Sequence, residues 1–239
     1  MNGKENSRLV VLTSSGTVPF KTWLSNELSL EWFIPIPYYV EARFAMWNEL
    51  LKEPKPNEKY QYAVGMWHYA RGIAFINNGN VKHAVKESVA LSKIILAGPT
   101  DNTLQKNGID LLKIANAILS ATLADYNRKE ALMFSYLKAA DSIQYHMGYH
   151  EPPDWYFPVK EILADAYLKW HHPQQAKATY EEILHQYPQD GWALYGLAKS
   201  LHASGDYKKA IQVEEEFKRA WRYADIPAPI PLISRHRDK

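Results

Sequence analysis

In the second half of the chain the apolar positions repeat. Placing "VKEILADAYLKWHHPQQAKATYEEILHQYP" (159–188) over "WALYGLAKSLHASGDYKKAIQVEEEFKRA" (192–220) aligns Leu163 with Leu197, Ala164 with Ala198, Tyr167 with Leu201 and Ala176 with Ala210, each pair 34 residues apart. Within each copy the spacing predicts an amphipathic helix, a tight turn ("SGDY", 204–207, in the second copy) and a second helix. A small Ala in that second helix lets the two axes approach closely, so the unit is a helical hairpin.

A third copy lies in "MWHYARGIAFINNGNVKHAVKESVALSKI" (66–94), with Gly72 small, Phe75 aromatic, Gly79 at the turn and Ala84 in the second helix. A fourth, "LLKIANAILSATLADYNRKEALMFSYLKAADSI" (111–143), is anchored by Ala131 and its apolar rhythm. Ala84 to Ala131 spans 47 residues and Ala131 to Ala176 spans 45, so the linkers exceed the regular repeat by 13 and 11. "AGPTDNT" (97–103) and "YHMGYHEPPD" (145–154) hold most of that excess. A degenerate unit precedes them at 37–54, its second helix cut short before Pro54 and Pro56. In "YHEPPDWYFP" (149–158), Pro152 and Pro153 should stop one helix, since proline lacks the donor and disfavours helical geometry before it. Asp154 should then cap the next helix, and Pro158 should fit its first turn.

These residues resemble the tetratricopeptide repeat, through Leu163, Ala164, Tyr167, Ala176, Tyr180 and Pro188, then Gly205, Tyr207 and Ala210. The first of the two copies departs from the pattern at its turn, where "HHPQQ" (171–175) replaces the expected Gly; Pro173 can still open the second helix. The segments "MWHYARG", "EPPDWYFPVKE" and "GWALYGLA" also resemble bacterial tetratricopeptide proteins of unassigned activity. The resemblance implies an all-α, right-handed α-solenoid of about four helical hairpins over residues 35–225. An irregular N-terminal arm (1–34) and a proline-rich tail (226–239) flank it.

It further implies a non-catalytic scaffold whose concave groove receives a protein or peptide. The family's groove positions fall on Met66, Tyr69, Ile73 and Ile76 in the 66–94 unit, and on Asn116 and Ser120 in the weak unit. They continue with Glu161 and Asp165, then Trp192, Tyr195, Lys199 and His202, giving a mixed aromatic and polar trough. The Lys-plus-Asn carboxylate clamp of chaperone-tail-binding members is absent, because Asn116 and Ser120 stand in its places.

Composition narrows the partners. A net charge of +2 with no long basic cluster gives no reason to expect nucleic acid. The absence of cysteine excludes disulfides, Cys-ligated zinc and a thiol nucleophile. No apolar run approaches the ~20 residues of a membrane helix, and "RLVVL" (8–12) is too short for a signal-peptide core. A cytoplasmic location is the default expectation, and homo-oligomers through the groove, the tail or end-to-end packing are compatible with the pattern.

No phosphate loop, nucleophile elbow, paired-carboxylate site or cofactor motif is present, so neither cofactor nor enzymatic activity is expected. "HMGYH" sets His146 and His150 four apart, a metal-pair spacing, but Gly148 and the prolines end the helix there and no third ligand is visible. "WHHPQQ" sits at a repeat turn, where adjacent His residues diverge. His68 and Arg71 are i,i+3 neighbours able to grip an anion, although His68 also suits a hydrogen-bonded helix interface. The alternative function is therefore a small-ligand or metal-binding protein, or an enzyme, using His68, Arg71, Trp155 and Tyr156.

The tail run "IPAPIPLI" (226–233) carries four Ile or Leu side chains, and the last helix of such an array needs a cap. The tail is expected to pack back near Phe217 and Trp221; the competing readings make it a free ligand motif or the occupant of a neighbour's groove.

Overall fold

The computed structural model describes residues 28–98, 106–148, 150 and 153–233. Among these residues all the regular structure is helical, without strands. It divides into two compact units, the first running to Tyr156 and the second from Phe157 to Ser234. The expected repeat range of 35–225 therefore contributes two full hairpins to each. Of the N-terminal arm, residues 1–27 lie outside the described residues, while Leu28–Phe33 form a 3-10 helix.

The first unit contains α1 (Ile36–Arg43), α2 (Trp47–Leu50), α3 (Gln61–Asn77), α4 (Val81–Ala97), α5 (Lys106–Tyr126) and α6 (Glu130–Met147). α3 pairs with α4, α5 lies against both, and α6 pairs with α5; α1 and α2 pack on α3. The second unit contains α7 (Val159–Lys169), α8 (Pro173–Gln186), α9 (Gly191–Ala203) and α10 (Tyr207–Ala220). Here α7 pairs with α8, α9 contacts both, and α10 pairs with α9.

All the hairpins turn by the same device. A residue with positive φ follows the first helix at Ala45 (54°), Gly79 (78°), Arg128 (55°), His171 (61°) and Gly205 (80°). The next amide in each case donates to the carbonyl five residues back: Met46 to Glu41 (2.8 Å), Asn80 to Phe75 (2.7 Å), Lys129 to Ala124 (2.9 Å), His172 to Tyr167 (2.8 Å) and Asp206 to Leu201 (2.9 Å). This bond satisfies a carbonyl that the helix end leaves open and fixes the angle of the reversal. Glycine takes the conformation at no steric cost, whereas a side chain there costs about 1–2 kcal/mol. "HHPQQ" thus keeps the hairpin with His171 in the glycine's place, and Pro173 opens α8 as expected. The degenerate unit is a real, truncated hairpin. Leu50, at 1% exposure, is its buried residue five places after the turn.

The same interval of five corrects the register of the weak copy. After Gly79, His171 and Gly205 it leads to Ala84, Ala176 and Ala210, all fully buried. After Arg128 it leads to Met133, also fully buried, whereas the expected anchor Ala131 is exposed. Met133, Leu137 and Ala140 are buried with the spacing of Ala176, Tyr180 and Ile183. A methionine can fill the seat because its unbranched chain adapts to an irregular gap. The anchor spacings become 49 and 43 rather than 47 and 45.

The joint between hairpins also differs from expectation in detail. α6 ends at Met147, with Gly148 at φ 84°, before the prolines are reached. Pro158 itself is the N-cap of α7, with no side-chain bond. Asp154 does not cap α7; its carboxylate lies 2.5 Å from Nδ1 of His150. Asp190 and Asp206 are the side-chain caps of the second unit, accepting from the amides of Ala193 (3.0 Å) and Lys209 (3.4 Å).

Past α10 the tail folds back onto the second unit. The indole Nε1 of Trp221 donates to the carbonyl of Ile226 at 2.8 Å, and Trp221 packs on Phe217 with ring centroids 5.5 Å apart. Ile226, Pro229, Leu232 and Ile233 are buried while Pro227 is exposed. This is the docking near Phe217 and Trp221 that the apolar tail predicts; residues 234–239 lie outside the described residues.

Candidate functional site

The groove positions of the second unit converge. Glu161 and Asp165 on α7, and Trp192, Tyr195, Lys199 and His202 on α9, all line one cavity of 430 Å³. That volume lies within the range of sites that hold small or extended ligands. The helices place the residues by simple periodicity. Glu161 and Asp165 are one turn apart on α7, and Trp192, Tyr195, Lys199 and His202 step along one face of α9 at intervals of three and four.

The floor is Tyr180, reaching in from α8 across Gly196 of α9. A Cβ on Gly196 would lie 2.1 Å from its Cζ, so the glycine is what lets the ring pass. The Tyr180 hydroxyl donates to Oδ1 of Asp165 at 2.6 Å. Burial, and then the neighbouring Asp165 carboxylate, push this phenol well above its ordinary pKa, so it stays a donor. The rims carry charge of both signs. Glu161 is buried at 3% exposure, and the Lys199 ammonium lies 4.7 Å from the Tyr195 ring centroid. His202 is exposed, with Nε2 2.7 Å from Oε1 of Glu214 on α10.

Sequence reasoning missed part of this wall. Leu168 of α7 also lines the cavity, at the place equivalent to His202 of α9 and eight residues before its anchor; the repeat register itself carried that signal. Pro229, Pro231 and Ile233 of the tail close another side. Nothing in the repeat pattern points to them, because they lie outside it.

The first unit arranges the same positions differently. Met66, Tyr69 and Ile73 are at 0–1% exposure and Ile76 at 8%, so they form core and not an open trough. Trp155 and Tyr156 cover Tyr69, with indole and phenol centroids 5.7 Å apart and the two hydroxyls of Tyr69 and Tyr156 at 3.3 Å. Tyr156 also stacks on Tyr39 at 4.3 Å and 6°, and Tyr39 meets the Tyr62 hydroxyl at 2.6 Å. Burial raises the phenol pKa of Tyr39 and Tyr69 well above the ordinary value.

Asn116 and Ser120 are not groove positions. Asn116 accepts from Ser92 of α4 at 3.2 Å, on the face that packs between hairpins. With Met133 as anchor, the equivalent places are Ile118 and Thr122, both buried. The physical reason for the correction is the turn at Arg128, which shifts every inherited position of this copy by two.

The alternative site does not assemble as one cluster. His68 Nδ1 lies 2.5 Å from Oε2 of Glu87, and Arg71 Nε donates to Oε1 of the same carboxylate at 3.1 Å. The i,i+3 pair does grip an anion, and that anion is the chain's own α4 side chain. Arg71 further donates to the Leu51 carbonyl at 2.9 Å and covers the Trp67 ring at 4.4 Å, tying α2, α3 and α4 together. Burial alone would raise Glu87, but the bonds from His68 and Arg71 outweigh it and hold the carboxyl below its ordinary range. Trp155 and Tyr156 keep the separate set of aromatic partners described above. His146 Nδ1 sits 2.7 Å from the Ser142 carbonyl. Among the described residues no group of three or more His, Asp or Glu is placed to hold a metal ion. Nor is any helix among them long and apolar enough to cross a membrane.

A scan against protein-family models matches residues 167–213 to the family described as tetratricopeptide repeat. No curated protein and no solved structure matches the chain. The matched stretch runs from the end of α7 through α8 and α9 into α10, across two of the shared turns and both buried anchors, Ala176 and Ala210. Residues 167–213 therefore carry a tetratricopeptide repeat match.

Proposed function

We propose that the second unit is a peptide-binding module, receiving an extended segment of a protein partner between α7, α9 and the tail. Tetratricopeptide repeats act generally as protein–protein interaction scaffolds and are typically non-catalytic. The observation that carries the finer reading is the convergence of six inherited groove residues on one 430 Å³ cavity. Its aromatic floor and walls supply contact area at low entropic cost, and its charged rims supply orientation. In the first unit Met66, Tyr69, Ile73 and Ile76 are buried, with Trp155 and Tyr156 set against Tyr69.

Selection of displayed peptides against the full chain tests this. Binders should lose about tenfold or more in affinity, roughly 1.4 kcal/mol, on Tyr195→Ala and on Lys199→Glu. Binders that keep their affinity for both variants would place the interaction elsewhere and refute the reading.

A further inference from the structure

We infer that the tail segment 226–233 is a tethered occupant of the α7–α9 groove, which a partner must displace, and that the fitting partner is an extended, proline-rich apolar segment. The inference rests on the peptide-binding reading of this cavity and adds who sits there and what chemistry competes.

Three observations support it. The tail contributes Pro229, Pro231 and Ile233 to the lining of the same cavity as Tyr195 and Lys199, so it reaches the groove and is not only packed against α10. Four of its eight residues, Ile226, Pro229, Leu232 and Ile233, are buried. Its three prolines favour the extended polyproline II backbone, which makes no internal hydrogen bonds. Finally, the cavity offers this segment Trp192, Tyr195 and Tyr180. Aromatic-lined grooves are the general receptors for such helices, because proline rings stack on aromatic faces without requiring backbone donors. Proline at 227, 229 and 231 leaves few such donors here, and it also lowers the entropy lost when the strap orders.

A tethered occupant reduces the apparent affinity of any competitor by the fraction of time the groove is free. The segment between 226 and 233 carries no charge, so its hold on the groove is apolar and removable by polar substitution.

The test uses the full chain, a tail-weakened full chain (Ile226→Ser with Leu232→Ser), and a labelled peptide of sequence DIPAPIPLI, residues 225–233. The peptide should bind the tail-weakened chain about tenfold or more tightly than the unaltered chain, and Tyr195→Ala in the weakened background should abolish binding. Because the weakened chain could fold poorly, a second arm keeps the tail sequence intact except at one site. The protein has no cysteine, so Lys169→Cys, at the cavity but not among the six inherited groove residues, can be joined to Pro231→Cys by a reducible bis-maleimide. Closing that link should block groove-dependent peptides, and reducing it should restore them. Equal affinity for the unaltered and weakened chains, with no effect of the link, overturns the inference. So does failure of DIPAPIPLI to bind the weakened chain while selected peptides of other composition bind through Tyr195. In both of those outcomes the peptide-binding reading survives; it fails separately if no peptide depends on Tyr195 or Lys199 in either chain.

Discussion

Gly196→Ala sets two well-defined effects against each other. Alanine is favoured over glycine within a helix by about 0.8–1.0 kcal/mol, so an open helical site would be stabilised. At Gly196 the new methyl would stand 2.1 Å from Cζ and 2.4 Å from both Cε1 and Oη of Tyr180. Unstrained carbon contacts lie at about 3.5–4.0 Å, so the overlap exceeds 1 Å. The ring has little freedom to retreat, being 1% exposed with its hydroxyl fixed to Asp165 at 2.6 Å. Relief requires either moving α8 away from α9, at the roughly 1–3 kcal/mol typical of overpacking, or expelling the ring. Expulsion approaches the ~3–5 kcal/mol of an aromatic-to-alanine change. Taking ~3 kcal/mol of strain against ~1 kcal/mol of propensity leaves a net loss of about 2 kcal/mol. For a chain of this length that corresponds to a Tm about 4–8 °C lower.

Thermal unfolding followed by circular dichroism reads the sign directly. A double-mutant cycle with Tyr180→Leu isolates the contact: leucine keeps apolar volume but lacks the far ring atoms, so the two changes should couple by about 1 kcal/mol or more. A Tm for Gly196→Ala at or above that of the parent would refute the close crossing of Tyr180 over α9. The floor assigned to the cavity would fall with it.

Met133→Glu should unfold the chain or cost several kcal/mol, because it buries a charge at a fully buried seat, whereas Ala131→Glu on the exposed face should stay within about 0.5 kcal/mol; the reverse ranking in thermal melts would restore the Ala131 register. Gly205→Ala should lower stability by about 1–2 kcal/mol through its φ of 80° alone, since no atom lies within 4 Å of the added Cβ, and an unchanged chemical-denaturation midpoint would contradict the turn geometry. Glu87 is held below 4.5 when folded, so the folded state binds fewer protons there and its stabilisation is complete above about pH 4.5 and lost as the pH falls through the lower folded value. The Tm difference between the parent and Glu87→Gln should therefore shrink as the pH is lowered from 6 to 3, and a constant difference would remove the His68–Glu87–Arg71 cluster as its source. Deleting 226–239 strips four buried residues from the second unit and should lower its Tm by several degrees, at about 1.5–3 kcal/mol for each fully buried apolar side chain as an upper bound; an unchanged midpoint would show the tail is not a cap.

The hairpins were legible because their signal is local. Apolar spacing marks each helix, and Gly79 and Gly205 mark two turns outright. The register of the weak copy was not, because a non-glycine turn carries no compositional mark. Arg128 and His171 adopt the same conformation as the glycines, and only the backbone shows it. Inherited positions carry that shift, which is why Asn116 and Ser120 fall two places off register while Tyr195 and Lys199 line the same cavity as their equivalents. The His68–Arg71 spacing left two readings open, an anion grip and a hydrogen-bonded helix interface, and the pair meets Glu87 across the α3–α4 interface. What it could not carry was the anion's identity, since Glu87 lies 19 residues beyond His68 and is brought in by the fold of α3 against α4.

The two proline-bearing irregular segments also acquire a common physical meaning. One repeat in each unit presents, fifteen residues before its buried anchor, an aromatic: Tyr69 before Ala84 and Tyr195 before Ala210. An aromatic face left open to water keeps apolar surface exposed at roughly 25 cal/mol per Å2, and a segment without regular structure can cover it at little backbone cost when proline has already restricted it. In the first unit that segment is Asp154 to Phe157's predecessor, Tyr156, with Trp155 at 2% exposure set against Tyr69 and leaving no room. In the second unit the covering segment is the tail, which supplies prolines and aliphatics in place of an indole, and beside it a cavity of 430 Å³ remains. Filling by the Trp155–Tyr156 pair, with Tyr156 stacked on Tyr39, makes core; on the proposed reading, filling by a short uncharged strap leaves a site that a partner can empty. On that reading, the difference between scaffold and binding surface follows from what covers the groove and not from the repeats beneath it.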